Sequence, residues 1–270
     1  MDSDRQVWVI GAGFLGSALA AACRAAGERV LTIDPVAEAD VQGSAAEKPV
    51  LQQALALLVP QVVYCCTATH GGTAEDYRAA YPAVVAALVE NLPAACRLVF
   101  CSSISLYGAA QGESIKESAP LLATGERAEL LMAAESVVLE QGGVVARLVP
   151  LYGPGRCELV RRYLAGESCL PGGAGRCMNY VHRDDAVAAL RLLAADGEGV
   201  YNLCGESFTK GEIYARLQET IGLPLPALES APSQRGVSDM LVDSARLRSL
   251  GWIPQHDMLA FARQWKEEMV

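Results

Sequence analysis

Gly11-Ala12-Gly13-Phe14-Leu15-Gly16 is the first stretch of this chain in which residue types and spacing point to chemistry. Three glycines spaced G-x-G-x-x-G each have a mechanical task. Gly11 permits a tight turn, Gly13 lets backbone come close to a phosphate group, and Gly16 lets a helix pack against its strand. A pyrophosphate on such a turn meets free N–H groups, those of Phe14 and Leu15 included, and the positive end of a helix dipole. Asp34 stands eighteen residues after Gly16. A carboxylate there accepts hydrogen bonds from the hydroxyls of an adenosine ribose and repels a 2′-phosphate. Pro35 and Val36 follow it, with no arginine to welcome such a phosphate. The pattern therefore reads as a dinucleotide site that favours NAD, with NADP as the alternative. The plain alternatives are a flexible glycine loop and an exposed acid ending a strand.

The flanking elements decide between these readings. Gln6–Ile10 is a short apolar, β-branched run ending on glycine, Ser17–Ala26 is alanine-rich and helical, and Val30–Asp34 reads as the next strand. Strand, glycine turn, helix, strand and terminal acid follow one another within the length of one βαβ unit. Further strands are expected at Val62–Cys66, Arg97–Cys101 and Val144–Leu148, with helices over Asp76–Glu90 and Glu126–Leu139. This alternation predicts an α/β fold with a doubly wound parallel sheet of Rossmann type over residues 1–150. From Leu151 the chain is richer in Gly and Pro and alternates short helices (Leu159–Leu164, Asp184–Ala194, Lys210–Thr220) with short strands. Residues 151–270 are therefore expected to form a small C-terminal α/β substrate lobe interleaved with the first.

Loops at the C-terminal ends of parallel strands border the ligand crevice, which places Thr67 and Ala68 against the cofactor. His70 in the same loop is an available acid or base near neutral pH, or simply a solvated histidine. The nine cysteines are scattered, with Cys65 and Cys66 adjacent in an apolar run and no C-x-x-C pair. They read as buried hydrophobes in a reducing, cytoplasmic compartment, and with three dispersed histidines no metal site is expected. The net charge of −9 argues against a nucleic-acid partner. No run reaches the roughly 20 apolar residues that cross a bilayer, so no membrane partner is expected either.

Several later segments resemble the extended short-chain dehydrogenase/reductases, the superfamily of NAD-dependent epimerases and dehydratases. They are Ser102-Ser103-Ile104-Ser105-Leu106-Tyr107-Gly108, Arg147 through Tyr152-Gly153-Pro154-Gly155, Tyr180-Val181-His182-Arg183-Asp184-Asp185, Val200-Tyr201-Asn202-Leu203, and Ser244-Ala245-Arg246 through Leu250-Gly251-Trp252-Ile253-Pro254. Their order along the chain matches the family nearly from end to end. The resemblance implies that Ser102 borders the cofactor and that Ser103 hydrogen-bonds the reacting oxygen of a small-molecule substrate. It also implies a homodimer joined through the helices Asp76–Glu90 and Glu126–Leu139.

The family's catalytic Y-x-x-x-K is where the chain departs. No Tyr and no Lys occurs between Glu117 and Gln141. Aligned on Glu135, Arg127 takes the tyrosine slot and Leu131 the lysine slot. The R-D that helps hold a diphosphate in sugar-nucleotide enzymes is Met178-Asn179 here, with Arg176 nearby; Tyr77 is followed by Tyr81 where an asparagine is usual. The chain thus resembles an atypical branch that lacks the tyrosine–lysine pair. Two functions follow from this. One is an NAD(P)-dependent oxidoreductase for a small carbonyl, hydroxyl or imine compound. In it Ser103 orients the oxygen, Arg127 assists a phenol or holds a substrate carboxylate, and Tyr107, His70, Tyr81 or water handles the proton. The other is a dinucleotide-binding sensor or scaffold without turnover.

Overall fold

The computed structural model describes residues 4–69, 71–108, 111–166, 173–222, 224 and 239–268. In chain order the strands are β1 (Gln6–Ile10), β2 (Arg29–Asp34), β3 (Val41–Gln42), β4 (Val62–Cys65), β5 (Arg97–Ser103) and β6 (Gln111–Ile115). They continue as β7 (Val144–Leu148), β8 (Leu151–Tyr152), β9 (Cys177–His182), β10 (Gly199–Leu203), β11 (Glu206–Thr209) and β12 (Asp239–Val242). The helices are α1 (Phe14–Ala25), α2 (Lys48–Leu57), α3 (Ala74–Ala80), α4 (Pro82–Asn91) and α5 (Glu126–Glu140). After these come α6 (Glu158–Leu164), α7 (Arg183–Asp196), α8 (Lys210–Ile221), α9 (Ala245–Ser249) and α10 (Met258–Glu268).

Seven strands form one sheet in the order β10-β7-β5-β4-β1-β2-β3, with every pair parallel. Successive residues of a strand face opposite sides, so each strand feeds two cores. Val7 and Val9 of β1 join Leu19 of α1 and Leu190 and Leu193 of α7 on one face. Trp8 and Ile10 join Val84 and Leu88 of α4 and Leu131 and Val138 of α5 on the other. Both faces are covered, which is why these strands read as continuous apolar runs. The order reverses between β1 and β4, whose carboxyl ends therefore flank a crevice.

The expected helix over Asp76–Glu90 is two helices. Pro82 has no N–H to donate and its ring collides with the carbonyl four residues earlier, so the helix breaks there. Tyr81 closes α3 and opens α4, with φ −114° and ψ −79°.

Beyond residue 150 the chain leaves the main sheet and comes back to it. A second sheet runs β11-β9-β8, and β12 pairs with β6. A third core of Tyr152, Tyr163, Tyr214, Leu217 and Met258 lies beneath α6, α8 and α10. Between these pieces α7 packs on α1 and β10 becomes the edge strand beside β7. Asp185 fastens the later chain to α7. Its backbone oxygen accepts from Trp252 Nε1 at 3.1 Å and its carboxylate from the N–H groups of Gln255 and His256 at 2.9 and 3.0 Å. No helix among the described residues is long and apolar enough to cross a membrane.

Candidate active site

The crevice at the switch point is a cavity of about 630 Å³ over the carboxyl ends of β1, β2, β4 and β5. Gly11, Gly13, Phe14, Leu15, Asp34, Thr67, Ala68 and Ser102 all line it. Gly11 has φ +91°, and a Cβ there would lie 2.7 Å from the Cys66 carbonyl. At Gly16, which stands below the crevice wall, a Cβ would fall 1.8 Å from the Gly11 carbonyl oxygen. At Gly13 a Cβ would meet nothing within 4 Å, because that position opens into the cavity. Gly13 is also the N-cap of α1, and no side chain caps it. The first-turn N–H groups are left to an anionic ligand.

Asp34 organises the loops at the end of β2. One carboxylate oxygen accepts from Ala12 N–H at 2.7 Å, the other from Val36 and Ala37 N–H at 2.7 and 2.6 Å. The acid thus ties the β1 turn to the loop after β2, and a carboxylate has lone pairs left for ribose hydroxyls. Ser102 Oγ is buried and finds no hydrogen-bond partner among the described residues, on the floor of the same crevice. Thr67 Oγ1 donates to Ala80 O at 2.9 Å, which holds the loop after β4 against the end of α3. An open cradle at Gly13, an uncapped helix terminus and an orphaned hydroxyl together fit a dinucleotide.

At Ser102, Ser103, Leu148, Leu151 and Arg156 the crevice joins a second cavity of about 470 Å³. Ser105, Arg176, Asn179, Tyr180 and Met240 are among its other walls. Among the described residues, Arg156 and Arg176 are the charged ones that line it. Arg156 also lies over the Phe14 ring, 5.0 Å from its centre, so it spans the junction. Ser103 Oγ accepts from Ser105 N–H at 3.1 Å, and its own O–H is a further donor at the junction.

Residues 7–204 match the NAD dependent epimerase/dehydratase family. This chain belongs to that family. No curated protein sequence matches it. Among solved structures it is similar to the dTDP-glucose 4,6-dehydratase of Bacillus anthracis in complex with NAD, at 17% identity, TM-score 0.81 and coverage of 98% of this chain and 97% of that one. It is similar also to the UDP-glucose 4-epimerase of Thermus thermophilus in complex with NAD, at 23% identity, TM-score 0.77 and 96% of each chain. A putative epimerase from Burkholderia cenocepacia aligns at 19% identity and TM-score 0.81 over 98% of each chain. At such identities these likenesses establish the fold.

Against this family background the candidate catalytic residues separate. Ser103 stands where crevice and second cavity meet. Tyr107 does not face either space. Its hydroxyl is buried, donating to Asn202 Oδ1 at 2.6 Å and accepting from Arg147 Nη1 at 3.1 Å. Arg147 lies over the same ring, 5.0 Å from its centre, and pairs through two nitrogens with Glu135 at 3.0 and 2.6 Å. Burial pushes the Tyr107 phenol up, the Arg147 bond pulls against it, and the net shift is upward. Its proton is committed to Asn202, which takes Tyr107 out of the role of proton donor. The family motif residues Tyr107, Arg147 and Asn202, with Glu135, thus interlock as one buried cluster between β7, β10 and α5. The motif spacings contained this cluster, but only the fold shows that they converge.

Arg127 is exposed at the rim, donating to Gly72 O at 3.3 Å and lying over Tyr77, 5.8 Å from its centre; it lines neither cavity. His70 lies outside the described residues. Arg161 and Arg162 both pair with Glu158 along α6, away from the second cavity. The Cys66 and Cys101 thiols share a hydrogen bond with 3.7 Å between sulfurs, and that bond together with burial pushes the Cys66 thiol well above the ordinary range. A thiol so protonated is a poor nucleophile. Among the described residues one trio of metal-ligating types sits together: His182, Asp184 and His256. His182 Nδ1 already accepts the Asp184 N–H, and the two imidazoles stack face to face at 3.9 Å, so their in-plane lone pairs run parallel instead of converging.

Proposed function

We propose that the chain is an NAD-dependent oxidoreductase acting on a small carbonyl, hydroxyl or imine compound that carries a negative charge. The observation that carries this reading is the junction of the two cavities at Ser103. A cradle for the dinucleotide shares the walls Ser102, Ser103, Leu148, Leu151 and Arg156 with a space large enough for a small substrate, and Ser103 brings a hydroxyl to both. Arg156 and Arg176 give that space its charge and its affinity for a carboxylate or phosphate. The N–H groups of the Gly11–Gly16 turn hold the pyrophosphate, Asp34 holds the adenosine ribose and disfavours NADP, and Ser103 orients the reacting oxygen. When bound, the nicotinamide supplies or accepts hydride. The absence of Tyr and Lys from α5 is why the proton donor must be non-standard. It is also the observation that favours a non-catalytic sensor as the second reading. The alanine-rich outer face of α4 (Ala83, Ala86, Ala87) suits a homodimer, and the eight described free cysteines suit a reducing, cytoplasmic compartment.

The test is NADH oxidation by purified protein with a panel of anionic and neutral carbonyl and imine compounds. Turnover with an anionic member is expected, and Ser103→Ala should lower kcat on the order of 100-fold or more. Tight NADH binding with no hydride transfer to any member would favour the sensor.

A further inference from the structure

We propose that Tyr81 is the acid of this site, supplying from the α3–α4 break the proton that the family takes from α5. This rests on the oxidoreductase reading above. Among the described residues three tyrosines line the two cavities: Tyr77 and Tyr81 in the crevice and Tyr180 in the second space. Only the crevice pair shares its walls with Ser103 and with Leu131, the α5 residue in the slot where the family carries lysine.

Of that pair, Tyr81 is the one held in place. It is 9% exposed, with its ring edge-on to Phe100 at 6.2 Å and to Tyr77 at 5.2 Å. Thr69 lies close enough to its phenol to pull the phenol's pKa down against burial. Thr69 itself lines the crevice, in the loop after β4 where the cofactor is bordered. Tyr77 has its ring beneath Arg127 at the open rim. The Pro82 break makes the placement possible. A continuous helix would carry residue 81 at helical φ and ψ, whereas the break leaves it free to close one helix and open the next over the crevice.

In the direction of reduction Tyr81 Oη would give its proton to the substrate oxygen as the C=O π bond opens, a bound reduced nicotinamide would supply the hydride to the carbon, and a solvent proton would restore the phenol, so charge and atoms balance over the cycle. Burial pushes the Tyr81 phenol up, Thr69 pulls against it, and the net shift is upward, so the group is protonated and ready to donate at neutral pH. The titratable groups that face it are Tyr77 and Cys101.

The experiment is a pH titration of the whole protein, carbon-labelled at tyrosine Cζ and followed by NMR, with and without NAD+. The Tyr81 resonance is identified by its loss in Tyr81→Phe. If the oxidised nicotinamide binds beside the phenol, as the proposal requires, its positive charge should lower the midpoint by on the order of one pH unit when NAD+ is added. An unmoved Tyr81 midpoint while NAD+ binds, or a shift seen instead at Tyr180, would overturn the proposal and leave the oxidoreductase reading standing. Failure of the wild type to bind either cofactor form would overturn both.

Discussion

Gly13 and Gly16 are three residues apart and do opposite work, and the geometry separates them. The space around Gly13 is cavity, so Gly13→Ala should fold with a stability change below about 0.5 kcal/mol. Its methyl occupies the approach of the pyrophosphate, and NADH affinity should drop at least about tenfold by fluorescence titration. Gly16→Ala forces a methyl against the Gly11 carbonyl and should cost about 3 kcal/mol or more in urea unfolding. Equal losses of stability in the two variants would contradict this division. The glycine spacing and Asp34 were legible as a dinucleotide signature because each serves a backbone geometry that few other residues can adopt. The three backbone bonds by which Asp34 organises two loops were not legible, since nothing in local sequence says which N–H groups a carboxylate will meet.

Among the elements, α5 and the strands beside it show where reading a chain linearly stops. The helix itself follows from its composition, and its lack of Tyr and Lys is plain in the sequence. What it does instead is bury Glu135 against Arg147, with side chains 4% and 6% exposed, and so anchor Tyr107 and Asn202. Removing one partner of such a pair strands a buried charge. Glu135→Ala should therefore cost on the order of 3–5 kcal/mol by urea denaturation; a loss below about 1 kcal/mol would show that the pair is not buried in solution. Tyr107 looked like a site residue because its motif ends at the crevice. The short 3₁₀ turn Ile104–Tyr107 after β5 instead directs its side chain into the core. The break at Pro82 was legible in principle, because proline cannot continue a helix, yet the apolar residues on either side give one unbroken helical period.

At the scale of the molecule, the parallel sheet follows from alternating strands and helices. Burial on both faces makes each strand an apolar run, and crossover helices between parallel strands leave one right-handed way to wind them. The joining of two cavities at Ser103 was not legible, because its walls come from β5, β7, β9 and the segments after them, far apart in the chain. The account as a whole rests on the crevice holding NAD. Nicotinamide fluorescence on titrating the purified protein with NADH and separately with NADPH tests this most directly. Saturable NADH binding that exceeds NADPH binding by about tenfold or more is the predicted result, since the Asp34 carboxylate faces any 2′-phosphate. Binding of neither cofactor, or tighter binding of NADPH, would contradict it.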